Sequence, residues 1–159
     1  MNFETMIRDA YNESIWGVRK GDKEKEIKFL QNYFKSAKKI VIPTSNEIKI
    51  KVINDVLNEF GLSKAEHLDI NTNIADLNRM PALFKAILAL DQIECDLIIA
   101  RGRLGVPGSG SMLIIIDNKG RILTASTSSS HVVHKKEIKD ALYDEITNAL
   151  IRIGLKRVK

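Results

Sequence analysis

Apolar positions fall into two periodicities along the chain. Phe3, Met6, Ile7 and Ala10 recur at helical spacing with Ser14, which predicts a first helix broken over 17–22. Ile27, Leu30, Phe34 and Ala37 give a second amphipathic helix. Residues 38–43 form a short run rich in β-branched side chains and read as a buried strand. Val52, Ile53, Val56, Leu57 and Phe60 make the inner stripe of a third helix, stopped by Gly61. A strand is expected over 65–70, a polar stretch over 71–80, and a helix opened by Pro81 with Leu83, Phe84, Ile87 and Leu88 facing inward. Residues 96–100 read as another buried strand. Residues 112–117 and 121–125 read as two more, joined by the hairpin signal Asn118-Lys119-Gly120. The last helix has the longest stripe: Ile138, Ala141, Leu142, Ile146, Ala149, Leu150 and Ile153.

The order α-α-β-α-β-α-β-β-β-α predicts an α/β fold with a mixed, mostly parallel sheet flanked by helices. At 159 residues it predicts one domain. With 44% hydrophobic and 28% charged residues, the composition is that of a soluble globular protein that needs no disulfide or metal to fold. The single cysteine, Cys95, points to a reducing cytoplasm. The amphipathic start lacks the features of a signal peptide, and no apolar run is long enough to cross a bilayer. A net charge of +5 suits an anionic partner, although lysine-rich solvated helix faces account for it equally well.

Candidate chemistry begins where the first strand turns into the third helix, at Pro43-Thr44-Ser45-Asn46. In open α/β sheets ligands sit at the carboxyl ends of strands, and a helix N-terminus there offers free N–H groups to an anion. Any one of Thr44, Ser45 and Asn46 is explained as a helix cap. Three together, followed by Lys49 in phase with Val52 and Ile53, point to a phosphate site.

Arg101 to Ser111, RGRLGVPGSGS, holds four glycines and two arginines and is expected to be a loop on the same edge. Gly102 and Gly105 would let backbone amides approach an anion, and Arg101 and Arg103 would grip phosphate oxygens. The order is not that of a Walker A loop. The run Ser126-Thr127-Ser128-Ser129-Ser130-His131 gives Ser128, Ser129 and His131 as further candidates for nucleotide contact, with a plain turn as the alternative. Asp69, near a strand end, is the candidate carboxylate for a magnesium ion accompanying a triphosphate. Asp96 begins its strand and so belongs to the opposite edge.

TSNEIK, between an apolar strand and an amphipathic helix, resembles the opening motif of the inosine-triphosphate pyrophosphatase and Maf-like families, which cleave nucleoside triphosphates between the α and β phosphates. The resemblance implies nucleotide contacts for Thr44, Ser45, Asn46 and Lys49. It breaks at Ala100-Arg101-Gly102-Arg103-Leu104, where those hydrolases carry an acidic pair that helps hold metal and activate water. Over nearly its full length the chain resembles the guanylyltransferase family of iron-guanylylpyridinol cofactor biosynthesis, the HcgB family, on TSNEIK and RGRLGVPGSGS. That resemblance implies an inosine-triphosphate-pyrophosphatase-like fold and a homodimer. It also implies transfer of GMP from GTP to a pyridinol hydroxyl with release of pyrophosphate, serving the [Fe]-hydrogenase cofactor. Lys49, Arg101 and Arg103 would neutralise the phosphates with Mg2+. Two other readings stay open: a house-cleaning nucleoside triphosphate pyrophosphatase, and a non-enzymatic nucleotide- or RNA-binding module. The second is disfavoured because no aromatics are interleaved on the strands.

Overall fold

A computed structural model describes residues 2–129 and 137–159. Helices α1 (Phe3–Ile15) and α2 (Glu24–Ser36) lead into strand β1 (Ile40–Ile42), helix α3 (Glu47–Glu59) and strand β2 (Ala65–His67). A single 3-10 turn (Ala75–Leu77) precedes α4 (Pro81–Leu90). Then come β3 (Leu97–Arg103), β4 (Gly110–Asp117), β5 (Ile122–Ser129) and α5 (Ile138–Arg152). The expected order of helices and strands is the observed one.

The five strands form one mixed sheet in the order β2-β1-β3-β4-β5. β1 runs parallel to both β2 and β3, while β3–β4 and β4–β5 are antiparallel. The parallel share is therefore half of the strand pairings, smaller than the alternation of helices and strands suggests. The two consecutive reversals after β3 account for the difference.

Alternation along the strands sorts the core onto two faces. Ile40, Ile42, Leu97, Ile99, Leu113 and Ile115 pack with Phe34, Ile53, Leu57, Leu142, Ile146 and Leu150 of α2, α3 and α5. Val41, Ile98, Ala100, Ile114 and Ile116 pack against α4. The face α4 buries is only partly the expected one, for Leu83 packs against this cluster as expected and Phe84 and Ile87 do not. Phe84 and Ile87 are exposed, and Ala82, Ala86 and Ala89 lie against the sheet. Small side chains let this helix come close to the strands, and Gly102 is part of that approach. A Cβ on Gly102 would stand 2.6 Å from the Ala82 nitrogen.

The long Gly/Arg loop expected over 101–111 is also shorter than it reads. Arg101, Gly102 and Arg103 are the last residues of β3, and Gly110 and Ser111 the first of β4, in register Arg103↔Ser111. Residues 104–109 make the turn. The serine run likewise continues β5 to Ser129. Along it Thr124 Oγ1 donates to the Ala149 carbonyl at 2.7 Å and Ser126 Oγ to the Glu145 carbonyl, so alternate hydroxyls tie the strand to α5. α1 buries none of its residues fully. Its Phe3 packs edge-on against Phe29 and Tyr33 of α2 under the Arg121 guanidinium.

Candidate functional site

Leaving β1 the chain moves outward to β2, and leaving β3 it moves the other way to β4. The carboxyl ends of these two neighbours thus form a switch point, the place where open α/β sheets leave a crevice. A cavity of about 170 Å³ lies there. Its floor is apolar, from Ile42, Ile53, Ile70, Ile99 and Leu142. Its polar wall is Thr44, Ser45, Thr72, Lys49, Lys85 and Arg101. The volume is below the roughly 300 Å³ at which pockets start to enclose whole drug-sized ligands, so it suits part of a ligand rather than a whole one.

Three cations meet at this wall. Lys49, on the first turn of α3, is half-buried. Burial chiefly, and then the charges of Arg101 and Lys85, hold its ammonium pKa below the ordinary lysine value. Lys85 comes from α4, pairs with Asp76 at 3.4 Å and donates to the Arg101 carbonyl at 3.3 Å. Arg101 comes from β3. Its Nε donates to Glu145 Oε1 at 2.9 Å and its Nη2 to Glu145 Oε2 at 3.2 Å and to Ser111 Oγ at 2.8 Å. Among the described residues no carboxylate lines the cavity. Like charges facing one another across a half-buried pocket are costly unless an anion lies between them.

The backbone adds to the cationic character of the site. Thr44 Oγ1 accepts from the Asn46 amide at 3.2 Å. Asn46 Oδ1 accepts from the amides of Ile48 and Lys49 at 3.0 and 3.2 Å and so caps α3. The positive end of that helix lies at the cavity mouth.

Of the residues singled out by sequence, Thr44, Ser45, Lys49 and Arg101 come together on this cavity. Asn46 stands beside it with its side-chain oxygen engaged as the cap. Gly102 is buried beneath Pro81 and Ala82 of α4 rather than open to a ligand. Arg103 does not line the cavity. Its guanidinium donates to the carbonyls of Gly105 (2.7 Å), Asp76 (3.0 Å) and Asn78 (2.8 Å), clipping the β3–β4 turn to the segment before α4. The Gly105 carbonyl is thus one of three acceptors in that clip. Ser128 turns toward α5 and donates to Glu145 Oε2. The backbone of Ser129 ends β5, while its side chain and His131 lie outside the described residues. Asp69 is exposed and does not line the cavity. Asp96 is on the opposite edge, accepting from the Lys38 and Lys39 amides.

Sequence reading passes over Lys85, Thr72, Ser111 and Glu145. A signal for Glu145 exists. It lies four residues after Ala141 and three after Leu142, in phase with the buried stripe of α5, and its side chain is fully buried. Lys85 is legible only once α4 is known to bury its alanines.

Magnesium is the metal the chemistry invites. Among the described residues no group of three His, Cys, Asp or Glu side chains converges, and the two carboxylates that reach the cations of the cavity wall are already engaged, Asp76 by Lys85 and Glu145 by Arg101. The described residues do not fit a resident metal. No helix among them is long and apolar enough to cross a membrane.

With this geometry in view, comparison with known families is decisive. The model of the family described as FeGP cofactor biosynthesis protein HcgB, guanylyltransferase, matches residues 3–155, and the chain belongs to that family.

Proposed function

We propose, from membership of a guanylyltransferase family, that this chain moves GMP from GTP to the hydroxyl of a pyridinol, with the GTP phosphates in the cavity between the carboxyl ends of β1 and β3. The observation that carries this reading is the meeting of Lys49, Lys85 and Arg101 on a wall without a carboxylate. In the reaction the pyridinol oxygen bonds to the α-phosphorus, the bond from that phosphorus to the bridging oxygen breaks, and pyrophosphate departs. The hydroxyl proton passes to solvent. Such a transfer needs alignment and neutralisation of charge more than covalent help from the protein. Lys49, Lys85 and Arg101, with the α3 N-terminus, supply fixed positive charge for the leaving pyrophosphate, and Thr44, Ser45 and Thr72 supply hydroxyls. A pyridinol is acidic enough to react without a dedicated base. Mg2+ would enter on the triphosphate as part of the substrate, and Asp69, exposed and outside the cavity lining, is the carboxylate preferred for it on sequence grounds.

The test is incubation of the protein with GTP, magnesium and a pyridinol, with guanylylpyridinol followed by mass spectrometry. Lys49→Ala and Arg101→Ala are expected to lose most of the rate. Product formed by both at the parent rate overturns the assignment. Steady release of GMP without any acceptor overturns it in favour of a pyrophosphatase, a reading the lack of a lining carboxylate disfavours.

We place the protein in the cytoplasm and propose that it works as a homodimer through α1. There Ile7, Tyr11 and Ile15 repeat every four residues on one exposed face, and Trp16 beside them is 70% exposed. Nucleic acid is not a partner in this reading.

A further inference from the structure

We propose that Glu145 is a positioning residue for nucleotide binding, acting through Arg101; the inference rests on the reading of the cavity as the phosphate site. Glu145 is wholly buried on α5 and does not line the cavity. Both of its carboxylate oxygens are used. Oε1 accepts from Arg101 Nε, and Oε2 accepts from Arg101 Nη2, Ser111 (2.6 Å) and Ser128. Three strands and one helix thus converge on one carboxylate.

Ser111 and Ser128 are register partners on β4 and β5, with their hydroxyls 3.0 Å apart, and Ser111 also accepts from Arg101 Nη2. The guanidinium is held on two of its three nitrogens. Nη1 has no partner among the described residues, and Arg101 is in the cavity wall.

This arrangement serves an anion site in two ways. A planar fork gripped in bidentate fashion has few orientations left, so its remaining N–H edge is fixed before the ligand arrives. The buried carboxylate also balances the arginine charge while the cavity is empty, where Lys49 and Lys85 already oppose one another. Glu145 therefore governs the site without touching the ligand.

The test is equilibrium binding of magnesium–GTP and of pyrophosphate to the full chain, with thermal unfolding recorded for each variant. Glu145→Gln keeps the shape but sets an amide N–H2 against arginine donors, so one of the two bonds is lost. It is expected to weaken both ligands by about tenfold to a hundredfold, the worth of a charge-assisted hydrogen bond. Arg101→Ala is expected to lose at least as much, and the double variant no more than Arg101→Ala alone. Glu145→Asp, which keeps the charge, is expected to recover part of the loss. The combined Ser111→Ala and Ser128→Ala variant, which leaves the ion pair but loosens its carboxylate, gives a smaller loss in the same direction and serves if Glu145→Gln does not fold. Parent-like affinity in Glu145→Gln, or in the double serine variant should that one be needed, overturns the proposal. So do losses that multiply in the Arg101/Glu145 double variant. A parent protein that binds neither ligand overturns the reading of the cavity itself, a separate outcome.

Discussion

Gly102→Ala separates packing from ligand contact at a position that the glycine-rich motif offers as a phosphate contact. Gly102 is the next-to-last residue of β3 and pairs with Met112 of β4. On its other side is the first turn of α4. An added Cβ would meet the Ala82 nitrogen at 2.6 Å and the carbonyl carbon and Cβ of Pro81 at 3.1 Å, where ordinary contact begins near 3.4 Å. All three atoms belong to backbone or to a proline ring, so no flexible side chain can swing away. Either α4 lifts at its N-terminus or β3 bends out of a sheet that is paired on both sides of its start. Overpacking of this kind costs about 1–3 kcal/mol. In a protein of this size that corresponds to a fall in Tm of about 3–10 °C. Urea unfolding should show a lower midpoint with an unchanged slope. Because Lys85 is one turn further along α4, GTP affinity should fall alongside stability. Unchanged Tm and midpoint would refute the packing account. Unchanged stability with lost GTP binding would return Gly102 to the ligand, as the open-loop reading of the motif expects.

Four further outcomes follow from the same geometry. Asn46→Ala removes the α3 cap and should cost about 1 kcal/mol by thermal unfolding, whereas Asn46→Asp keeps the cap and should leave stability intact while weakening GTP binding by calorimetry. The lowered pKa of Lys49 means that it sheds its proton below the pH at which an ordinary lysine does, so GTP affinity should fall as pH rises through that lowered value, and Lys49→Arg should hold affinity to higher pH. The sign for stability is opposite. The unfolded chain binds more protons than the folded one between the two pKa values, so the unliganded protein should gain stability as pH rises through that window and approaches the ordinary lysine value. Tyr11→Glu or Trp16→Glu should shift the protein to a monomer in light scattering if α1 forms the dimer surface, with the melting of the fold little changed because both side chains are exposed.

The positions of Thr44, Ser45 and Lys49 on the cavity were legible because they depend on local order alone. A strand followed at once by a helix has its turn at the strand's carboxyl end, and the phase of the helix decides which side chain faces back. Arg101 was legible for its place on that edge but not for its surroundings, since its partner is contributed by α5, 44 residues later. The extent of the strand that carries it also misled. Glycine and arginine read as a loop, yet Gly102 is in the sheet because α4 needs the space, and α4 needs it because it presents alanines rather than its larger residues. Arg103 is the same case from the other side. Two residues from Arg101 and identical in type, it is drawn off by three carbonyls that only the folded turn brings within reach. The serine run hid its period-two pattern because every residue in it is small and polar. Only the helix opposite reveals that Thr124, Ser126 and Ser128 form one face.

What distinguishes this edge from a hydrolase site is where its carboxylate is held. A carboxylate open to the cavity could take a proton from water, whereas Glu145 is sealed behind Arg101, with both oxygens occupied by donors. Those donors occupy the carboxylate and fix a cation at the wall instead. In the proposed reaction the cavity would hold phosphate and steady a leaving group, and would leave the choice of nucleophile to whatever acceptor is bound. Transfer then wins over hydrolysis to the degree that the acceptor excludes water from the α-phosphorus. The ratio of guanylylated acceptor to free GMP should therefore rise with acceptor concentration, with no change in which residues bind GTP.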